Sequence, residues 1–166
     1  MRLAAAGFVL FLTACSGDGG GNSATPQDLE SAAIERGLVR DPGDSDLTGL
    51  YARDTDRVCV VQDRDSYRIG AYVDYGDGLS CTGTGTVTRA GETLAITLKG
   101  KNGVTCSFDA RFAGDRITFP ASVPPECAKF CGPRASFAAL DVDRLSGSAA
   151  EARALRSAEG KRLCGD

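Results

Sequence analysis

Residues 67–112 read YRIGAYVDYGDGLSCTGTGTVTRAGETLAITLKGKNGVTCSFDARF, and this stretch decides the fold. Its apolar and polar positions alternate with a period of two. Tyr67, Ile69, Ala71, Val73 and Tyr75 alternate with Arg68, Gly70, Tyr72 and Asp74. Cys81, Gly83, Gly85 and Val87 alternate with Thr82, Thr84, Thr86 and Thr88. Leu94, Ile96 and Leu98 then alternate with threonine, alanine and lysine, and Val104, Cys106, Phe108, Ala110 and Phe112 repeat the pattern. A period of two sends one set of side chains to a core and the other to water, which is the signature of a half-buried strand. The joints are short and polar: Tyr75-Gly76-Asp77-Gly78, Ala90-Gly91-Glu92 and Lys101-Asn102-Gly103. Asn-Gly suits the tight turn of a hairpin.

Outward from this stretch, strands are expected at 49–53, 57–62, 116–120 and 134–144, with further turns at Asp63-Arg64-Asp65 and Ala113-Gly114-Asp115. The chain therefore reads as mainly β: a small antiparallel meander or up-and-down barrel of about eight strands, since closure removes exposed edges. Gly83 and Gly85, on the inward face of one strand, permit tight curvature. The inward set includes Ile69, Val73, Leu94, Ile96, Leu98, Phe108 and Phe112. Short helices flank the strands. Thr25 and Pro26 supply a cap and a first helical residue, Gly37 a stop, and the Asp41–Asp46 cluster a turn. Near the C-terminus Ser148 and Glu151 have capping-box spacing, and Ala149, Ala152 and Leu155 favour helix.

The first residues read as an address. Arg2 precedes an apolar run over 3–12, the length of a signal-peptide core and too short for a bilayer span of about 20 residues. The run ends in Leu12-Thr13-Ala14-Cys15, which resembles the lipobox of bacterial lipoproteins. The resemblance implies cleavage before Cys15 and lipid (palmitate and diacylglycerol) on that residue. Ser16 after it, rather than aspartate, points to the outer membrane and a domain facing the periplasm. Residues 1–14 are thus the expected signal peptide, 15–24 a flexible Gly-rich tether, and 25–166 a single disulfide-stabilised β domain with flanking helices. Multiple acyl chains anchor stably where one chain is marginal.

Seven cysteines in 166 residues then divide into one and six. With Cys15 lipidated, Cys59, Cys81, Cys106, Cys127, Cys131 and Cys164 remain as disulfide candidates in an oxidising compartment. Cys127 and Cys131 are close enough in sequence to form a local clip. The other four are left to tie strands together and to pin the tail at Cys164.

Composition closes off much chemistry. The chain has no histidine, which removes Ser-His-Asp and Cys-His catalysis and every His-ligated metal site. Its net charge of −3 argues against a nucleic-acid surface. The aspartates at 41, 44 and 46, at 54 and 56, and at 63 and 65 lack the calcium-loop spacing and its distal glutamate. Asp74 and Asp77 flank a glycine-rich turn tip, where nothing would raise one carboxyl for acid catalysis. Lys99, Lys101, Lys129 and Lys161 sit in polar contexts unsuited to a serine–lysine dyad. Thr82-Gly83-Thr84-Gly85-Thr86 lacks the Gly-Lys-Ser/Thr of a phosphate loop and reads as a strand ladder. No catalytic residue, metal ligand or cofactor is expected. Tyr72, with Arg68 and Asp74 on the same outward face, is the candidate partner-binding patch.

The run Tyr67…Ala71-Tyr72…Cys81-Thr82-Gly83-Thr84-Gly85…Leu94 loosely resembles the lipoprotein lysozyme inhibitors of Gram-negative bacteria. The resemblance implies a lipobox-bearing, disulfide-bonded small barrel. Leu79-Ser80-Cys81-Thr82 departs from their inhibitory Ser-Gly-x-x-Tyr loop, so the architecture carries over and the inhibitory residues do not. The expected function is a non-enzymatic binding module on the envelope, anchored through Cys15, for an envelope protein or a small apolar ligand. The alternatives are an accessory component of an envelope assembly and an inhibitor of a lytic enzyme. A deep apolar cavity inside the barrel would favour the small ligand, and a filled barrel a protein partner.

Overall fold

A computed structural model describes residues 26–36, 38, 46–100 and 103–165. The expected leader and tether, the cap at Thr25, Gly37, the turn residues 41–45 and Lys101-Asn102 lie outside the described residues. Helix α1 (Pro26–Glu35) starts on the proline, as expected, and belongs to a unit separate from the one that holds the strands.

Eight strands follow: β1 (Gly49–Arg53), β2 (Asp56–Asp63), β3 (Ser66–Asp74), β4 (Ser80–Ala90), β5 (Thr93–Lys99), β6 (Thr105–Ala113), β7 (Arg116–Thr118) and β8 (Asp141–Ser146). Each is antiparallel to the next, and β8 pairs back onto β1, so the sheet is a closed up-and-down barrel. The tight hairpins turn where the backbone enters the left-handed region: Asp54 (φ 48°), Arg64 (φ 56°), Gly91 (φ 62°) and Gly114 (φ 65°).

The barrel is packed. Ile69, Val73, Leu94, Ile96, Leu98 and Phe112 point inward and are buried, and Phe108 packs half-buried against them. Tyr51, Val58, Val60, Val87, Ile117 and Val142 fill the rest of the interior. Gly83 and Gly85 are where the wall gives way. A Cβ on Gly83 would stand 2.8 Å from Leu98 Cδ1 and 3.2 Å from the Phe137 ring, and one on Gly85 would overlap the Thr97 carbonyl. The two glycines thus let β5 and an inserted phenylalanine approach β4 closely, which the sequence anticipated only as curvature.

Both ends are closed by the chain itself. At the end holding the hairpins at 64–65, 91–92 and 114–115, Arg144 turns inward from β8. Its side chain is 5% exposed, and its guanidinium stacks 4.9 Å from the centroid of Tyr51 and 5.8 Å from that of Phe112. Its Nη1 and Nη2 donate to the carbonyls of Thr48 and Asp46, and its Nε lies 3.0 Å from Asp115 Oδ1. At the opposite end the long β7–β8 connection, 119–140, folds over the opening. Phe119 and Phe137 from this connection are buried with their ring centroids 6.4 Å apart.

That connection overturns one expected strand. Residues 134–140 are not part of β8. Arg134 (φ 66°) and Ala139 (φ 57°) break the extended backbone, and Phe137 is spent on plugging the barrel. Pairing with β7 therefore begins only at Asp141. The cysteine clip is a second correction. Cys127 and Cys131 do not bond to each other; Cys106 pairs with Cys127, Cys81 with Cys131 and Cys59 with Cys164. The two neighbours are separated by the end of a 3-10 helix (Pro125–Phe130) that sends one cysteine to β6 and the other to β4. Each bridge contributes about 2–4 kcal/mol by restricting the unfolded chain.

Helix α2 (Ala149–Ala154) has Ser148 as its cap, whose side chain accepts from Glu151 N at 3.4 Å. The helix and the tail behind it cover the outer face of β2. Cys59, Val61, Ala152, Leu163 and Cys164 form a second apolar cluster there, outside the barrel. On the far side of the β1–β8 seam, Arg53 and Arg116 alternate with Asp141 and Asp143 in a four-membered ion-pair network.

Ile96→Asp places an unpaired charge in the packed interior and should unfold the protein, whereas Thr97→Asp, on the outer face, should cost no more than about 1 kcal/mol. Thermal unfolding distinguishes them, and equal tolerance would contradict the register. Hydrogen bonds from Arg116, and then from Arg53, hold the Asp143 carboxyl below the usual carboxylate range. The unfolded chain therefore takes up this proton first as pH falls. The stabilisation is present above about pH 4 and lost as pH drops through the folded-state value. Asp143→Asn should flatten the acid limb of the melting-temperature profile.

Candidate binding groove

The outer face of β4 is a row of threonine hydroxyls, Thr82, Thr84 and Thr86, all half-buried. They are half-buried because two pieces of chain rise beside them. One is the 3-10 helix. Its Phe130 ring lies against Gly100, where a Cβ would stand 3.2 Å from two ring carbons. The Cys106–Cys127 and Cys81–Cys131 bridges hold this wall from both sides. The other is the C-terminal segment. Leu163 N donates to Leu155 O at 3.0 Å, Leu163 is buried, and Cys164 is bonded to Cys59 on β2. Gly70 lets this wall approach, since a Cβ there would stand 2.5 Å from Leu163 Cβ and 2.9 Å from Cys59 Sγ.

Against the C-terminal wall lie two adjoining cavities of about 320 and 340 Å³ that share Thr84, Lys99, Lys161 and Leu163, and the 3-10 helix bounds the first of them. Phe130, Val104 and Leu163 supply apolar surface to the first. Lys129 stands over the first cavity, and Arg68, Arg162 and Asp63 over the second. Asp63 is engaged by Arg68, Oδ2 to Nη2 at 3.4 Å. Lys99, Lys129, Lys161 and Arg162 are exposed. Among the described residues none of these four cations has a carboxylate partner within 4 Å.

The expected partner-binding patch divides. Arg68 is part of the groove. Tyr72 shares its face of β3 but packs on the outer apolar cluster under the C-terminal segment. Burial first, and then the neighbouring Asp74 carboxylate, pushes the Tyr72 phenol above its ordinary range. Asp74 accepts from Gly76 N at 2.9 Å and so shapes the following turn. The three residues share one face, as read from the alternation, without converging on one cavity.

The sequence did not single out Lys99, Lys129 and Lys161 as a group. They come from three elements separated by thirty residues or more, and only the disulfide-held walls bring them together. A partial signal was present in the run Val58-Cys59-Val60-Val61, which is apolar on both faces and so implies that something covers the outside of β2.

A smaller cleft at the other end of β3 is lined by Asp54, Asp56, Asp74, Tyr75 and Ser136. Its polar groups hold the loops together. Asp56 Oδ1 accepts from Asp74 N at 3.0 Å, and Tyr75 Oη donates to Ser136 O at 2.8 Å. Burial raises the Asp56 carboxyl, partly offset by that backbone bond. Among the described residues no group of three or more Cys, Asp or Glu is placed to hold a metal ion. Comparison with protein-family models, curated proteins and solved structures gave no match to this chain.

Gly70→Ala should force the C-terminal wall off β3, because both atoms it would strike belong to that wall and its anchor. The expected cost is about 1–3 kcal/mol. Limited proteolysis should cut earlier within 155–165, and an unchanged cleavage pattern would contradict the close packing.

Proposed function

We propose that this protein is a lipid-anchored lipoprotein of the bacterial envelope, a non-enzymatic binding module facing the periplasm whose ligand is held outside the barrel. The observation that carries the reading is the cysteine arithmetic joined to the disulfides. Six of seven cysteines are consumed in three bridges, and the seventh is Cys15, at the end of the run Leu12-Thr13-Ala14-Cys15 that resembles a lipobox. Three bridges suit an oxidising compartment, and a single remaining cysteine behind a short apolar leader suits acylation.

The packed interior supports the external location of the ligand. Tyr51, Phe112, Phe119 and Phe137 occupy the space that a small apolar ligand would need. A binding function therefore falls to the outer surface, where the groove beside β4 has the size of a ligand site, roughly 300–1,000 Å³.

Membrane fractionation tests the anchor. The wild-type chain should sediment with membranes and release only in detergent, and Cys15→Ser should appear in the soluble fraction. A Cys15→Ser protein that stays membrane-bound as tightly as wild type would overturn the lipoprotein reading.

A further inference from the structure

We infer that the groove beside β4 is a binding site for an acidic oligosaccharide, a short run of sugar units carrying carboxylate or phosphate. The inference rests on the binding-module reading above and names its ligand class.

The first argument is charge. The chain carries 19 cations against 22 acids, and only four of the cations are lysines. Three of those four, Lys99, Lys129 and Lys161, line this one groove, with Arg68 and Arg162 beside them; among the described residues the one carboxylate lining it, Asp63, is engaged by Arg68. A surface of net negative charge has here a local excess of positive charge, carried by exposed side chains around a recess, where it attracts an anion from solution.

The second argument is shape and composition. The floor runs from Thr82 to Thr86, about 13 Å at the rise of a strand, and hydroxyls on one face recur every second residue. Phe130 from one wall and Leu163 from the other, with Val104, give apolar surface to the first cavity. Hydroxyl donors, an aromatic edge and point charges in a narrow trough match a chain of polar rings bearing acids. The filled barrel argues against an enclosed apolar ligand and leaves a protein or a polar ligand on the outside; of these the protein is less well matched to this groove, because protein interfaces are depleted in lysine and depend on tyrosine, tryptophan and arginine anchors.

The third argument is rigidity. Neither wall belongs to the barrel sheet, yet each is covalently tied to it, the first by Cys81–Cys131 and Cys106–Cys127 and the second by Cys59–Cys164. Gly70 and Gly100 allow the walls to sit close. The cations are thus borne on segments fixed before any ligand arrives, which lowers the cost of ordering on binding.

Calorimetric titration of the oxidised full-length chain tests the site with four matched probes: trigalacturonate, phosphorylated maltotriose, unmodified maltotriose and triglutamate. Either acidic trisaccharide should bind, and its affinity should fall as salt rises; the tighter of the two identifies the acid group. Lys129→Glu with Lys161→Glu should weaken that binding at least ten-fold with the melting temperature unchanged. Should the reversal impair folding, the milder Lys129→Gln with Lys161→Gln replaces it, with a loss of three-fold or more expected. Binding of maltotriose or triglutamate as tight as that of the acidic sugars would overturn the assignment, as would unchanged binding in a folded variant or no binding of either acidic sugar. An envelope component retained equally by wild type and the reversal variant would overturn the groove alone and leave the binding-module reading standing.

Discussion

The pairing of β8 with β1 is the contact on which the rest of the structure depends. Without it the meander has two open edges and an interior exposed along a seam. With it, every strand has two neighbours, and the apolar face of each has somewhere to go. The seam is reinforced on both surfaces. Outside, Arg53 on β1 and Arg116 on β7 flank Asp141 and Asp143 on β8. Inside, Arg144 on β8 lies over Tyr51, its register partner on β1. A buried guanidinium is costly unless its hydrogen bonds are made, and here the carbonyls of Thr48 and Asp46 accept from it. The same residue thus closes the seam and seals one mouth of the barrel.

Tyr51, Phe112, Phe119 and Phe137 fill the closed barrel, so the grooves of this fold are built on its outside. The chain does this with its two least regular segments, the β7–β8 connection and the C-terminal tail. Neither forms a strand of the barrel; the connection makes one isolated bridge, Cys131 to Cys81 on β4, and each segment is bound to the barrel through cysteines and a glycine-permitted close approach. The barrel supplies a flat hydroxyl-bearing strand face, and the added segments convert it into a trough with cations along its rim.

The fold was legible because period-two alternation and short polar turns are local signals. Residues 67–112 gave four strands within a residue or two of their true limits, and the core set from Ile69 to Phe112 points inward as read. The failures are all non-local. Residues 134–140 have apolar content fit for a strand, yet Phe137 is drawn into the barrel mouth opened by Gly83. Cys127 and Cys131 are close in sequence, and the 3-10 helix between them points them at different strands. The groove is least legible of all. Its lysines lie at 99, 129 and 161, and no window along the chain contains even two of them in a shared pattern. Tyr72 was read as outward, and it is, but a tail ninety residues away lies over it.

The seam also orders events in time. Each strand from β2 to β8 pairs with the one just before it, so a growing chain can add hairpins as it emerges. The last step is different in kind. Tyr51 meets Arg144, and Cys59 meets Cys164 across 105 residues, only after the C-terminal residues are free. Until then β1 waits with an unpaired edge, which is the form most prone to join another chain. A truncation of a few residues at the C-terminus would therefore do more than remove a tail: it would remove the partner of Cys59 and leave the outer face of β2 only partly covered, by α2, while leaving the hairpins intact.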